Sequence, residues 1–214
     1  MAMRTKADIL PLSPVHLAAI AALEAALFEH PTSAAMLAKF HANPACAGFV
    51  LIRKDQTPCI PSDQMSDAVP DAELGDIAAY VLALNSGLSA DLVTIGTAPS
   101  CQRRGCGRAV LDYLVGALRD RGVQELMLEV ALDNVAARRL YTAAGFTTIA
   151  VRPGYYRRAG GPVDAVAMRY AASCALTSGA VSGIEIPQNR MVQNRLLQNR
   201  LRNESRARDE KIIH

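Results

Sequence analysis

The chain has 214 residues, half of them apolar, and a formal charge of +3, which is enough apolar chain for one well-buried domain with an appendage. Residues 1–170 hold 16 basic and 16 acidic side chains, whereas residues 171–214 hold 7 basic and 4 acidic. The folded part is therefore neutral, so overall basicity supplies no argument for nucleic-acid binding by the core and leaves that role to the tail alone.

The five cysteines (Cys46, Cys59, Cys101, Cys106, Cys174) form no C-x2-C pair, and His16, His30, His41 and His214 do not fall at ligand spacing. Reduced thiols and no metal are expected. The N-terminus lacks a continuous apolar signal core, and no run of about 18 strongly apolar residues occurs. The expectation is a soluble, cytoplasmic protein with no membrane partner.

Ser13 or Pro14 opens a predicted helix through Phe28, with Leu17, Ile20, Leu23 and Leu27 on one stripe. A second short helix, Ser33 to His41, follows the break at Pro31. "AGFVLIRK" reads as a strand. Lys54 to Asp76 is a long acidic connection with three prolines and six acidic residues, longer than a normal hairpin loop and expected to be flexible. "IAAYVLALN" and "ADLVTIGTA" read as two strands joined near Gly87.

A helix follows in which Val110, Leu111, Leu114, Val115 and Leu118 recur at the spacing of one buried face, with Gly122 as its C-terminal cap. "ELMLEVA" is a strand, and "DNVAARRLYTAAGF" is a helix capped by Asp133 or Asn134 and closed by Gly145. "FTTIAVRPGYY" and "VDAVAMRYA" are strands around a Gly-rich turn. The order predicts a mixed α/β layered domain. Beyond it, residues 171–214 are basic and of low complexity, with Gln-Asn-Arg repeated every five residues. That period keeps no helix face aligned, so the tail is expected to be disordered or partly helical.

"SCQRRGCGRAVLDYL", Ser100 to Leu114, places glycines and arginines at a helix start. A helix start offers backbone N–H groups without intrahelical partners, and its dipole favours anions. Gly105 and Gly107 let a phosphate approach those donors, and Arg103, Arg104 and Arg108 add charge beside them. A Walker loop would need Gly-Lys-Ser/Thr, and the dinucleotide fingerprint a small residue where Val110 stands. The glycine pair alone leaves a phosphate cradle and an ordinary strand-to-helix turn equally open.

"QRRGCGRAVL" resembles the Gln/Arg-x-x-Gly-x-Gly/Ala motif of the Gcn5-related N-acetyltransferases, and the resemblance runs from about Ile9 to Arg169. Leu128-Glu129-Val130, Asn134, Ala137-Arg138-Arg139-Leu140-Tyr141, Gly145-Phe146 and the Arg152 to Tyr156 stretch "RPGYY" are similar to the RimI branch. That branch acetylates the N-terminal alanine of a small-subunit ribosomal protein.

The resemblance implies a mixed, mostly antiparallel central sheet with helices on both faces. The domain would span residues 1–170, with an insertion at about 54–76 and the tail outside it. It implies acetyl-CoA as co-substrate, its pyrophosphate on the amides of Arg103, Arg104, Gly105, Cys106, Gly107 and Arg108. Its pantetheine would lie along Ile95, Gly96 and Thr97, and Asn134 would contact the cofactor arm. Gly96-Thr97 stands where the family more often has Ala-Val, and Thr32 stands where the branch has tryptophan.

Glu129 would be the general base, directly or through water; read from the residues alone it is an edge or surface carboxylate. Tyr141 would be the acid for the departing thiolate, where the residues alone read as a core aromatic. Tyr155 and Tyr156 are either sheet-packing aromatics or a wall of the peptide site. Cys106 is not expected to act as a nucleophile, because no histidine base lies in a nearby motif; a helix start lowers a thiol pKa, so it is expected to be sensitive to oxidation. Two other functions remain open: acetylation of a small amine, and a non-catalytic acyl-CoA-binding or ribosome-associated module.

Overall fold

The computed structural model describes residues 7–53, 77–158 and 160–172. The acidic connection 54–76 and the tail from residue 173 onward lie outside the described residues. The chain runs through β1 (Ala7–Pro11), a 3-10 turn (Pro14–His16), α1 (Leu17–Leu27), α2 (Ala34–Ala42), β2 (Cys46–Arg53), β3 (Ile77–Asn85) and β4 (Ser89–Thr97). A second 3-10 turn (Pro99–Cys101) leads to α3 (Cys106–Asp120), β5 (Glu125–Ala131), α4 (Val135–Ala143), β6 (Thr147–Arg158) and β7 (Gly161–Ala171).

The strands form a seven-stranded sheet in the order β1-β2-β3-β4-β5-β7-β6. Every neighbouring pair is antiparallel except β4 with β5. The sequence reading had no counterpart to β1, and it merged the turn at Pro14 with α1. The other predicted elements match within a few residues, and Asn134, not Asp133, caps α4 by accepting from the Ala137 N–H at 3.1 Å.

The core is built on both faces of β3, whose residues Ile77 to Leu84 are all buried. A strand covered on both sides needs such a continuous apolar run. Tyr80 and Val81 are adjacent and so point to opposite faces. On one face the Tyr80 hydroxyl donates to Glu24 of α1 at 2.7 Å. On the other, Phe49, paired with Val81, meets Tyr113 of α3 edge-on with ring centroids 4.8 Å apart. Helices therefore cover both faces, α3 through the buried stripe Val110, Leu111, Leu114 and Leu118. Among the described residues, no helix is long and apolar enough to cross a membrane.

Gly96 is required by this packing. A Cβ built there would lie 2.4 Å from Cε1 of Tyr80, whose ring is fully buried and cannot swing aside. Glycine at 96 is thus what the Tyr80 ring leaves room for. Gly96→Ala should lower the unfolding free energy by about 1–3 kcal/mol, the usual cost of overpacking, as read from urea denaturation; an unchanged midpoint would contradict this account.

Candidate active site

The site begins where β4 leaves β5. Their pairing runs only from Ser89–Glu125 to Asp91–Met127. Two residues later, Val93 has no partner in the β3 register, a bulge that turns the strand. Past the last pair with β5, Leu92, Val93 and Ile95 are only half-buried, although β4 lies in the middle of the sheet. Ile95, Gly96 and Thr97 therefore present a strand edge that β5 does not use. The Gln102 side chain donates to the Thr97 carbonyl at 3.3 Å.

This edge leads into the start of α3. Arg103 (φ 59) and Gly105 (φ 84) both have left-handed backbone, alternating with ordinary residues to curve the loop. Such curvature gathers successive N–H groups into an anion-binding concavity. The first helical bond runs from Ala109 N–H to Gly105 O, so the amides of Cys106, Gly107 and Arg108 precede the ladder. A Cβ on Gly107 would meet Thr97 Oγ1 at 2.8 Å, so glycine lets the helix start approach β4.

Arg103 and Arg104 are exposed beside the loop. Arg108 differs from expectation: its Nε pairs with Asp112 at 2.7 Å and its Nη1 donates to Ala143 O of α4 at 2.7 Å. Its guanidinium fastens α3 to α4, which leaves its amide, rather than its charge, for the loop. Asn134 spends its side-chain oxygen on the cap of α4.

Across the gap, Glu129 lies on β5, paired with Ala167 of β7 on one side and two residues past the last pair with β4 on the other, and its side chain is not freely exposed. Arg152 of β6 reaches it, Nε to Oε1 2.9 Å, with their side chains 31% and 22% exposed. The reach crosses the intervening β7 at Ala165 and Ala167, both fully buried, and a larger residue at either position would obstruct it. Tyr156, on the same strand, donates to the backbone carbonyl of Glu129 at 3.2 Å. Its ring stacks edge-on against Tyr155, centroids 5.0 Å apart.

Tyr141 of α4 is buried, its ring 5.6 Å from Phe146. Burial, and secondarily the neighbouring Tyr156, raise its phenol far above the ordinary tyrosine range. Tyr156 thus adjoins both Glu129 and Tyr141. Arg152 was missed as a site residue because its partner is on a strand two places away; the signal was its place in "RPGYY" beside Tyr155 and Tyr156.

The α1–α2 connection reaches the end of β6. His30 Nε2 lies 3.2 Å from Arg157 O. Arg158 stands between Asp133 (2.6 Å) and Glu29 (3.8 Å). The connection thus meets the β6–β7 hairpin near the end of β5. The expected acidity of Cys106 is corrected: its thiol pKa is raised, chiefly by burial and then by Cys101, against smaller opposing effects of Arg53 and Arg104. Among the described residues no cluster of three or more His, Cys, Asp or Glu side chains is arranged for a metal ion.

The sequence profile of the acetyltransferase (GNAT) family matches residues 17–146. The [ribosomal protein bS18]-alanine N-acetyltransferase of Escherichia coli K12 is 39% identical over 94 residues, covering 44% of this chain and 64% of that enzyme. The chain thus spans less than two thirds of that relative's length in the alignment. The crystal structure of the E. coli ribosomal-protein-S18-alanine N-acetyltransferase superposes with a TM-score of 0.65 at 27% identity, covering 82% of this chain and 99% of that one. Arabidopsis thaliana NAA60 in complex with acetyl-CoA shares the fold, with a TM-score of 0.63 at 16% identity over 78% of this chain and 98% of that one.

A raised thiol pKa leaves less thiolate at any pH below it, and the thiolate is the reacting species. Alkylation of Cys106 by iodoacetamide, followed by peptide mass spectrometry, should be slower at pH 8 than that of free cysteine and should keep rising at higher pH. Alkylation at or above the rate of free cysteine at pH 8 would contradict the burial argument.

Proposed function

The chain belongs to the acetyltransferase (GNAT) family, and from that premise we propose that it transfers the acetyl group of acetyl-CoA to the N-terminal α-amine of a protein. The preferred residue is alanine and the acceptor a small-subunit ribosomal protein, by analogy with the E. coli relative, a [ribosomal protein bS18]-alanine N-acetyltransferase, and the reaction takes place in the cytoplasm. The catalytic domain is residues 1–170, with the tail as an appendage.

The observation that carries the reading is the strand edge of β4 leading directly into the amide-lined start of α3. Ile95, Gly96 and Thr97 take the pantetheine through their backbone. The amides from Arg103 to Arg108 take the pyrophosphate, with the charges of Arg103 and Arg104 beside it, and the Asn134 amide nitrogen borders the arm. Acetyl-CoA supplies the thioester whose acyl carbon receives the amine.

Glu129 accepts the proton of the attacking amine, directly or through one water. An α-amine has a pKa near about 8, so a modest base suffices at neutral pH. As the N–C bond forms and the C–S bond breaks, the electron pair passes to sulfur. Tyr141 offers its phenolic hydrogen there. Burial keeps that proton on the phenol across the neutral range. The same burial makes outright transfer to a thiolate, with a reference pKa of about 8.5, uphill. Tyr141 therefore acts first by hydrogen-bonding the developing negative charge. Arg152 holds the Glu129 carboxylate in place, and Tyr155 and Tyr156 wall the peptide site.

The test is mass spectrometry of a peptide carrying the ribosomal protein's N-terminal alanine after incubation with acetyl-CoA. One acetyl group should appear on the α-amine. No transfer while acetyl-CoA still binds would overturn the acceptor and redirect the search to small amines. Glu129→Gln and Tyr141→Phe should each lower kcat by about 10²- to 10³-fold while acetyl-CoA affinity, measured by calorimetry, stays unchanged. Retained turnover in both would remove these residues from the mechanism.

A further inference from the structure

Among the described residues, Glu24 is the only buried carboxylate, 2% exposed, and nothing in the mechanism above uses it. Its two oxygens serve different parts of the fold. Oε1 accepts from the Tyr80 hydroxyl at 2.7 Å and the Thr94 hydroxyl at 2.6 Å. Oε2 accepts from the backbone N–H of Thr32 at 2.9 Å. Tyr80 and Thr94 belong to the neighbouring strands β3 and β4, and Thr94 follows the bulge at Val93, where β4 has already left β5. Thr32 lies in the α1–α2 connection, whose His30 and Glu29 contact the β6–β7 hairpin.

We propose that Glu24 is a positioning residue that ties the α1–α2 connection to the splayed part of β4 and thereby sets the affinity for the acceptor. It touches neither substrate. The assignment of that connection to the acceptor rests on the function proposed above, in which Tyr155 and Tyr156, next to the Arg157 and Arg158 that the connection contacts, wall the peptide site.

The site presents three donors to one side chain, and a carboxylate satisfies all of them at once. An apolar residue of the same size would leave a hydroxyl pair and a backbone N–H without an acceptor. Stability alone is a poor reason to keep a charge there, because burying one costs desolvation that apolar packing avoids. What the carboxylate adds is registration, since the distance between its two oxygens fixes the connection relative to the strand.

Glu24→Gln is a weak test, because the two hydroxyls can accept from an amide while its oxygen takes the Thr32 N–H. Two variants cut the tie from opposite ends. Tyr80→Phe with Thr94→Val keeps the ring against Gly96 and removes the strand-side donors. Thr32→Pro removes only the donor in the connection and leaves the interior intact, so it serves if the first variant folds poorly.

For whichever variants fold, the KM for the alanyl peptide should rise by about five-fold or more, with kcat and the acetyl-CoA dissociation constant within about two-fold. Hydrogen exchange in residues 29–33 of Tyr80→Phe/Thr94→Val should accelerate. An unchanged acceptor KM, or an equal loss of acetyl-CoA affinity, would overturn the proposal. If the wild-type protein leaves the peptide unmodified, the function proposed above fails instead. Hydrogen exchange then decides the tie: acceleration supports it and unchanged protection overturns it.

Discussion

Three residue pairs of parallel sheet, Ser89–Glu125 to Asp91–Met127, are all that join the two halves of the strand layer. Had the pairing continued, the backbone groups of Ile95 to Thr97 would be consumed by β5, and a ligand could not use them. The divergence leaves a wedge with Thr94 on one strand and Glu129 on the other, just past the last pair. It also brings the end of β4 to the start of α3. The left-handed backbone at Arg103 and Gly105 turns the chain there and presents the helix amides to the wedge.

Small residues decide what polar groups can reach that wedge. Ala165 and Ala167 leave a shallow track over β7, along which Arg152 extends to Glu129. Gly107 brings α3 against Thr97. Burial acts in the same place on acidity, keeping the Tyr141 phenol and the Cys106 thiol in their protonated forms. The wedge thus holds one partly exposed carboxylate, Glu129, paired with the Arg152 guanidinium.

Much of this was readable from the chain alone, because the signals were local. The apolar stripe of α3, the continuous run of β3 and the glycines at Gly105, Gly122 and Gly145 each announce an element or its end within a few residues. Edge strand β1 was not legible: its five residues include Leu10, exposed on the outer side, and Pro11, so neither an apolar run nor a clean alternation marks it. The ion pair of Glu129 with Arg152 was hidden for another reason. It depends on β7 being inserted between β5 and β6, a matter of strand order that no local pattern encodes. Glu24 lay between these cases. Its spacing from Ile20 put it on the buried stripe of α1, but the donors awaiting it come from Thr32, Tyr80 and Thr94, far apart in sequence.

The contact of Tyr80 with Gly96 has a consequence for descent. The ring occupies the volume that any side chain at position 96 would need, so the two positions cannot drift separately. A lineage that places alanine at 96 must first move or replace the tyrosine on β3, and with it the hydroxyl that reaches Glu24. Tyr80 and Gly96, paired in space across β3 and β4, are thus coupled through the volume of one ring, and Glu24 is joined to that pair only through the Tyr80 hydroxyl.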